Sequence, residues 1–420
     1  MRNVPKLRFK EFSEEWKEKK FKDLVLLQRG SSPRPIVKYI TTSLDGVNWI
    51  KIGDTNKENR FITSTSEKIT KEGAKKSREV KKGEIILSNS MSYGRPFILK
   101  IDGYIHDGWF VLRNYEENLN KEFLCQLLGS EIVQKQYKKL AAGGVVENIS
   151  SELVNAIIIN LPNLEEQEKI ADFLSSIDKK ISITEEKLDL FKDYKKGIMQ
   201  KIFNQELRFK DSEGNDYPEW EEKEVRNLVK DKIIEKPLDG NHGSLHPTSS
   251  DYVLSGIPFI MANDINKNSI DLKECKKISK EQAKTLQKGF SKEGDILLTH
   301  KGSIGRTCIV PKLETDYIIL TPQVTYYRIL NNRILINKYL KSYFESPNFV
   351  KILEVISSSG TRPYIGITEQ LELKIQLPCL EEQEKIANFL SSIDNKIDNL
   401  TSELEDLKEF KKGLLQQMFV

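Results

Sequence analysis

The chain has little of several things that announce a function. It holds four cysteines and four histidines in 420 residues. Cys125, Cys275, Cys308 and Cys379 lie far apart with no Cys-x-x-Cys, which suits neither a disulfide framework nor a thiolate zinc site, so they read as buried, reduced side chains. His242 and His246 have the spacing of a metal pair but sit in a Gly/Pro-rich stretch without an obvious third ligand, and His106 and His300 are isolated, so no metal is expected. No apolar run reaches the roughly eighteen residues of a membrane span, and Met1 to Lys6 leads into no apolar signal core, so the expected location is the cytoplasm. A net charge of +4 does not announce nucleic acid, which leaves local clustering of lysine and arginine as the better test.

Catalytic signatures are missing as well. Gly302-Ser303-Ile304-Gly305-Arg306-Thr307 is too short for a phosphate-cradling loop and lacks its lysine, no Gly-x-Gly-x-x-Gly follows a strand, and there is no Asn-Pro-Pro-aromatic stretch of the kind amino-methylating enzymes use. No catalytic residue and no cofactor is assigned to this chain.

What is present is a repeat. LPNLEEQEKIADFLSSIDKKI, from Leu161 to Ile181, returns as LPCLEEQEKIANFLSSIDNKI, from Leu377 to Ile397, displaced by 216 residues (161 to 377). Apolar residues at Ile170, Leu174, Ile177 and Ile181, with Leu188 seven further on, and at Ile386, Leu390, Ile393, Ile397, Leu400 and Leu404, keep a spacing of four and three, that of a coiled-coil seam. Thr184 interrupts the first copy, and Lys195 and Lys411 interrupt both at equivalent places; the simpler expectation is that these lysines snorkel at a fraying end, the other that they fix register. Glu165-Glu166-Gln167-Glu168 and Glu381-Glu382-Gln383-Glu384 suit the positive end of a helix dipole. About forty helical residues make a rod of roughly 60 Å.

The duplication extends beyond the helices. Leu7-Arg8-Phe9-Lys10 with Glu15-Trp16 reappears as Leu207-Arg208-Phe209-Lys210 with Glu219-Trp220, so the N-terminal segment should sit near the end of the second helix, and pairing the two seams makes the helices antiparallel with a head at each end. The heads, residues 20–160 and 222–376, share stations in order. Trp49 to Asn56 answers to Phe259 to Asn266, and Gly83-Glu84-Ile85-Ile86-Leu87-Ser88 to Gly294-Asp295-Ile296-Leu297-Leu298-Thr299. Each of the latter runs into a Ser/Gly-rich loop ending in Gly94-Arg95 or Gly305-Arg306, eleven residues after the first glycine. An arginine projecting from such a loop can fork onto a phosphate or a guanine edge; a plain hairpin with a solvated arginine is the equal alternative. A third station, Ala141-Ala142-Gly143-Gly144 against Ser357 to Arg362, precedes the strands that feed the helices; it reads first as a flexible link. The candidate nucleic-acid contacts are Ser90, Ser92, Tyr93, Gly94 and Arg95 with Lys75, Lys76 and Arg78 in head 1, and Lys301, Ser303, Gly305, Arg306, Arg362 and Tyr364 with Lys276 and Lys277 in head 2. Of these, Lys75, Lys76 and Arg78, and Lys276 and Lys277, belong to two basic runs, Lys71 to Lys82 and Lys273 to Lys292, that precede the Gly-Arg loops and tilt the reading towards phosphate contact over a solvated face.

Two variable heads, each ending in a strand, Leu-Pro, a Glu-Gln turn and a long helix, resemble the specificity subunit of type I restriction-modification systems, and the doubled LPxLEEQEKIAxFLSSID carries the resemblance. It implies an α+β chain of two mixed α/β target-recognition domains, 1–160 and 205–376, the latter including the link, separated by long antiparallel helices, 161–204 and 377–420, with internal pseudo-two-fold symmetry. Each head would read one half of a split, asymmetric double-stranded DNA target and the helices would set the gap. Two methyltransferase subunits would dock on them and restriction subunits would join, bringing the methyl donor, ATP and magnesium. The competing readings are a coiled-coil scaffold that reads no DNA, and a nuclease or methylase in one chain, for which no residues speak.

Overall fold

The computed structural model describes residues 3–55, 60–89, 94–141, 149–266, 269–358 and 363–420. They form two compact units, Met1–Glu186 with Ser402–Val420, and Lys187–Thr401. Two continuous helices, Leu164–Phe203 and Leu380–Gln417, are divided between the units, so each unit holds one head and a stretch of both helices.

Each head is built on two sheets. In head 1 one sheet runs Ile40–Thr41, Glu67–Ile69, Val47–Ile50, Gly103–Ile105, Arg78–Val80, and the other Leu26–Arg29, Trp109–Arg113, Ile85–Ser88, Pro96–Leu99, Phe61–Ile62. Head 2 repeats the first order with Tyr252–Val253, Lys276–Ile278, Ile257–Ile260, Ile318–Leu320, Phe290–Ser291, and the first four strands of the second with Leu238–Asp239, Val324–Tyr327, Ile296–Thr299, Thr307–Ile309. The parallel pair Val47–Ile50 with Gly103–Ile105 has its counterpart in Ile257–Ile260 with Ile318–Leu320. One topology thus underlies two weakly matched sequences.

The uninterrupted apolar runs follow from strands buried on both faces. Ile85 and Leu87 face the core shared with the long helices while Ile86 faces the core between the sheets, and Ile296, Leu298 and Leu297 divide in the same way. Glycine admits a close approach at the end of each first strand. A Cβ on Gly30 would lie 2.0 Å from the His106 carbonyl oxygen, and one on Gly240 1.9 Å from that of Leu320.

In each unit the helix segments run antiparallel. In the first, Asp178 and Glu185 meet Lys411 and Lys408 in descending order; in the second, Lys195 meets Asp394 while Met199, Ile202 and Phe203 share a core with Ile386 and Leu390. The seam residues have a second use. Ile170, Leu174 and Ile177 lie in the head 1 core with Trp16 and Leu124 as well as with Leu414 and Phe419, and Ile386, Leu390 and Ile393 hold the same place in head 2. The opening turns of each helix are therefore core elements of a head, and Ile181 and Ile397 pack at the edges of those cores.

In each Glu-Gln turn the outer glutamates, Glu165 and Glu168 or Glu381 and Glu384, are exposed, but the inner one does more than suit the helix dipole. Glu166 and Glu382 are 1% and 0% exposed. Arg8 forks onto Glu166 with both contacts at 2.7 Å and the Trp16 indole adds a third at 3.3 Å; Arg208 and Trp220 repeat this on Glu382 at 3.2, 2.8 and 2.9 Å. The adjoining amides close the joint. Gln167 donates to the carbonyls of Asn118 and Pro162 and accepts from the amide of Asn120, while Gln383 donates to Ile334 and Pro378 and accepts from Ile336. The repeated LEEQE is thus the bolt between helix, head and the preceding Leu-Arg-Phe segment, which buries its charge because every partner is supplied. The N-terminal segment does meet the end of the second helix: Leu7 N–H donates to Gln417 O at 2.9 Å and Trp16 lies edge-on to Phe419. Strands Ile158–Leu161 and Lys374–Leu377, which feed the helices, pair antiparallel with Lys17–Lys20 and Glu221–Glu224.

The seam-breaking lysines do not snorkel. Lys195 and Lys411 lie 16% and 22% exposed against aspartates of the opposite helix. Of the cysteines, all free, Cys125, Cys275 and Cys308 are buried while Cys379 is half-buried.

Candidate nucleic-acid interface

The two Gly-Arg loops close by the same hydrogen bonds. Gly94 N–H donates to Ser88 O at 2.9 Å and Arg95 N–H to Ser88 Oγ at 3.1 Å; Gly305 N–H donates to Thr299 O at 2.9 Å and Arg306 N–H to Thr299 Oγ1 at 3.0 Å. Both glycines are left-handed, at φ 60° and 85°, and a Cβ on Gly94 would meet the Tyr137 ring at 2.4 Å. The constant spacing of these loops is therefore fixed by chain geometry before any ligand is considered.

Neither arginine projects as its position suggested. The Arg95 guanidinium lies over the Phe97 ring, 4.9 Å from its centroid, and lines a cavity of about 890 Å³ with Arg60, Gln126, Asp178 and Lys411. It faces the long helices because Phe97 offers the ring on which it rests. Arg306 is exposed but bends back, its Nη1 donating to Ala262 O and Ile265 O at 3.4 Å. Ser90, Ser92, Tyr93 and Arg362 lie outside the described residues, as does most of the third station.

In head 2 the second and third stations meet. Lys301 pairs with Tyr364 in an antiparallel bridge, Gly302 N–H donates to Pro363 O at 3.2 Å and Ile365 N–H to His300 O at 3.0 Å. The Lys301 ammonium stands 5.9 Å from the centre of the Tyr364 ring, and that ring is 45% exposed. Ser303 is half-buried beside them. Beneath lies His300, which the sequence reading left isolated. It is fully buried, and its Nδ1 is 2.8 Å from Ile365 O; since a carbonyl only accepts, Nδ1 carries the proton. Burial lowers its pKa and keeps the ring neutral. The ring backs Tyr364 at 5.6 Å between centroids. Head 1 places Asn89 at the equivalent position, where its side chain donates to Asp107 O at 2.8 Å and its carbonyl accepts from Ile149 N–H. An ammonium, a phenol and a hydroxyl presented together suit phosphate and base-edge contact.

The other two histidines of head 2 serve its framework. His242 Nε2 lies 2.6 Å from Asp239, which also receives Lys288. Burial raises the Asp239 pKa, but the bonds from Lys288 and His242 outweigh it and hold the carboxyl below its usual range. His246 packs on Phe259. Among the described residues no group of three histidine, cysteine or acidic side chains is placed to hold a metal ion, and no helix is long and apolar enough to cross a membrane.

The basic runs differ in how free they are. In head 1, Lys71 pairs with Asp45, Lys76 donates to Tyr39 and covers its ring, Arg78 donates to Arg29 O, and Lys81 pairs with Glu79, leaving Lys75 and Lys82 exposed without an ion pair among the described residues. In head 2, Lys273, Lys276, Lys280, Lys284 and Lys292 are exposed without an ion pair among the described residues, and Lys277 is half-buried.

The family model for the type I restriction modification DNA specificity domain matches twice, over residues 13–191 and 202–409. The chain is 27% identical to the type I restriction enzyme MjaVIII specificity subunit of Methanocaldococcus jannaschii over 66% of this chain and 65% of that one. It is 23% identical to the EcoBI specificity subunit of Escherichia coli over 70% and 64%, and 26% identical to the putative MjaX specificity subunit of M. jannaschii over 98% and 95%. It thus spans a little under two thirds of the length of the first two relatives and nearly all of the third. In fold it is similar to a type I restriction-modification S subunit from M. genitalium, with a TM-score of 0.59 at 16% identity over 99% of both chains.

Proposed function

The chain belongs to the type I restriction modification DNA specificity domain family, and from that premise we propose that it is the sequence-reading subunit of a type I restriction-modification complex. Residues 1–160 and 205–376 each read one half of a split, asymmetric target, and the helices over 161–204 and 377–420 hold the gap and dock two methyltransferase subunits. Methylation and cleavage, with methyl donor, ATP and magnesium, belong to the methyltransferase and restriction partners, working in the cytoplasm.

One observation carries this reading. The same two-sheet scaffold and the same loop closure occur twice, while the side chains presented there differ, Lys301 and Tyr364 standing over a buried histidine in head 2 where head 1 has Asn89. A scaffold that only joined partners would have no use for two differently furnished loops on one frame. The exposed lysines of head 2 supply the phosphate attraction that net charge does not.

The binding test uses the chain in complex with its partners. Changing Lys273, Lys276, Lys280 and Lys284 to glutamine is expected to weaken DNA binding equally for all sequences. The slope of log affinity against log salt should flatten by about 0.9 for each phosphate contact removed. An unchanged slope would remove these lysines from the interface. A wild-type complex with no preference among DNA sequences would favour the scaffold reading.

A further inference from the structure

Lys195 and Lys411 occupy equivalent places in the two helices, 216 residues apart, and so do their partners Asp178 and Asp394. Lys195 Nζ lies 2.6 Å from Asp394 Oδ1, and Lys411 Nζ 2.5 Å from Asp178 Oδ1. Each pair is joined by its own head. In the second unit Glu345 lies 3.3 Å from Lys195 and 2.9 Å from Lys341, which reaches Asp394 at 3.9 Å. In the first, Gln126 donates to Asp178 at 2.6 Å, and Arg60 spans Asp178 and Glu122 at 3.3 and 3.1 Å. Each node therefore ties the short head helix, Lys121–Gly129 or Asn337–Phe344, to the crossing of the long ones.

We propose that these two nodes lock the register of the long helices and thereby fix one gap length between the half-sites, an inference that rests on the proposed function for its link to DNA. Between the ends, where Ile202, Phe203, Leu414 and Phe419 are held in the head cores, an isoleucine and leucine seam repeating every three and four residues looks much the same after a slip of one heptad, so the packing of that middle stretch discriminates weakly. The charges do not look the same. A slip one way sets Lys411 against Ala171 and Lys195 against Ala387; the other way sets Asp178 against Met418 and Asp394 against Ile202. The first strands both ammonium groups against apolar side chains, and a buried charge without its partner is strongly disfavoured; the second parts each lysine from its aspartate, which then keeps only the contacts of its own head. One heptad is about 10 Å of helix, the length of roughly three base pairs.

The test is Lys195→Leu with Lys411→Leu. Asp178 keeps Arg60 and Gln126, and Asp394 keeps Lys341, so the double variant should fold with a Tm equal to or above the wild type, its leucines continuing the seam. Two readouts are taken. Spin labels at Leu190→Cys and Asn399→Cys, both exposed, in a Cys379→Ser chain, should give one distance in the otherwise native protein and a second, longer one in the leucine variant. Modified sites mapped with the complete complex should show one gap for the wild type and an additional gap, different by up to about three base pairs, for the variant. A single unchanged label distance overturns the lock. A second distance with one unchanged gap upholds the lock but overturns its link to spacing, and a wild-type complex that recognises no split site sinks the function without touching the label result.

Discussion

Replacing Glu382 by alanine is expected to destabilise the unit that carries head 2 by about 3–5 kcal/mol, because it leaves the Arg208 charge and the Trp220 indole without their shared acceptor. For a unit of this size that is a fall in Tm of roughly 6–20 °C. Glu166→Ala should do the same to the first unit through Arg8 and Trp16. By contrast Glu381→Ala, one residue earlier and exposed, should shift Tm little. Thermal unfolding followed by calorimetry checks all three. Equal, small shifts would mean that the acidic turn acts only on the helix dipole, which contributes about 0.3–1 kcal/mol.

The second large effect is on selectivity. Lys301→Ala with Tyr364→Ala should relax one half-site and spare the other, each lost base-edge contact being worth about 1–3 kcal/mol, or roughly 5- to 150-fold in discrimination. Stability should change little, since Lys301 is exposed and Tyr364 is 45% exposed. Competition binding with duplexes altered in one half at a time measures it. Loss at both halves alike would assign these residues to general phosphate contact, and loss at neither would take the loop out of the interface.

The duplication, the long helices and their antiparallel direction within each unit, the feeding strands and the meeting of the N-terminal segment with the last helix were all legible, because identical sequence at a fixed displacement must fold alike. The loop closures were half legible. Gly94 and Gly305 marked the turns, but the direction of Arg95 depends on Phe97 and on the cavity beside the helices, which no spacing shows. The role of Glu166 escaped because its partners Arg8 and Trp16 stand 158 and 150 residues away. A polar residue at a helix start looks solvated until those partners are in place. Lys195 and Lys411 were misread for the same reason. A lysine in a seam near a helix end looks like a fraying position, and only the opposing aspartate, brought by antiparallel pairing, makes it an internal ion pair.

The central claim is that two unlike heads on one frame read two unlike half-sites at one separation. Mapping every modified adenine in DNA treated with the complete complex tests it most directly. A single split motif with two different halves and one fixed gap is expected, absent when this chain is left out. An uninterrupted motif, two identical halves, or modification that proceeds unchanged without the chain would contradict it.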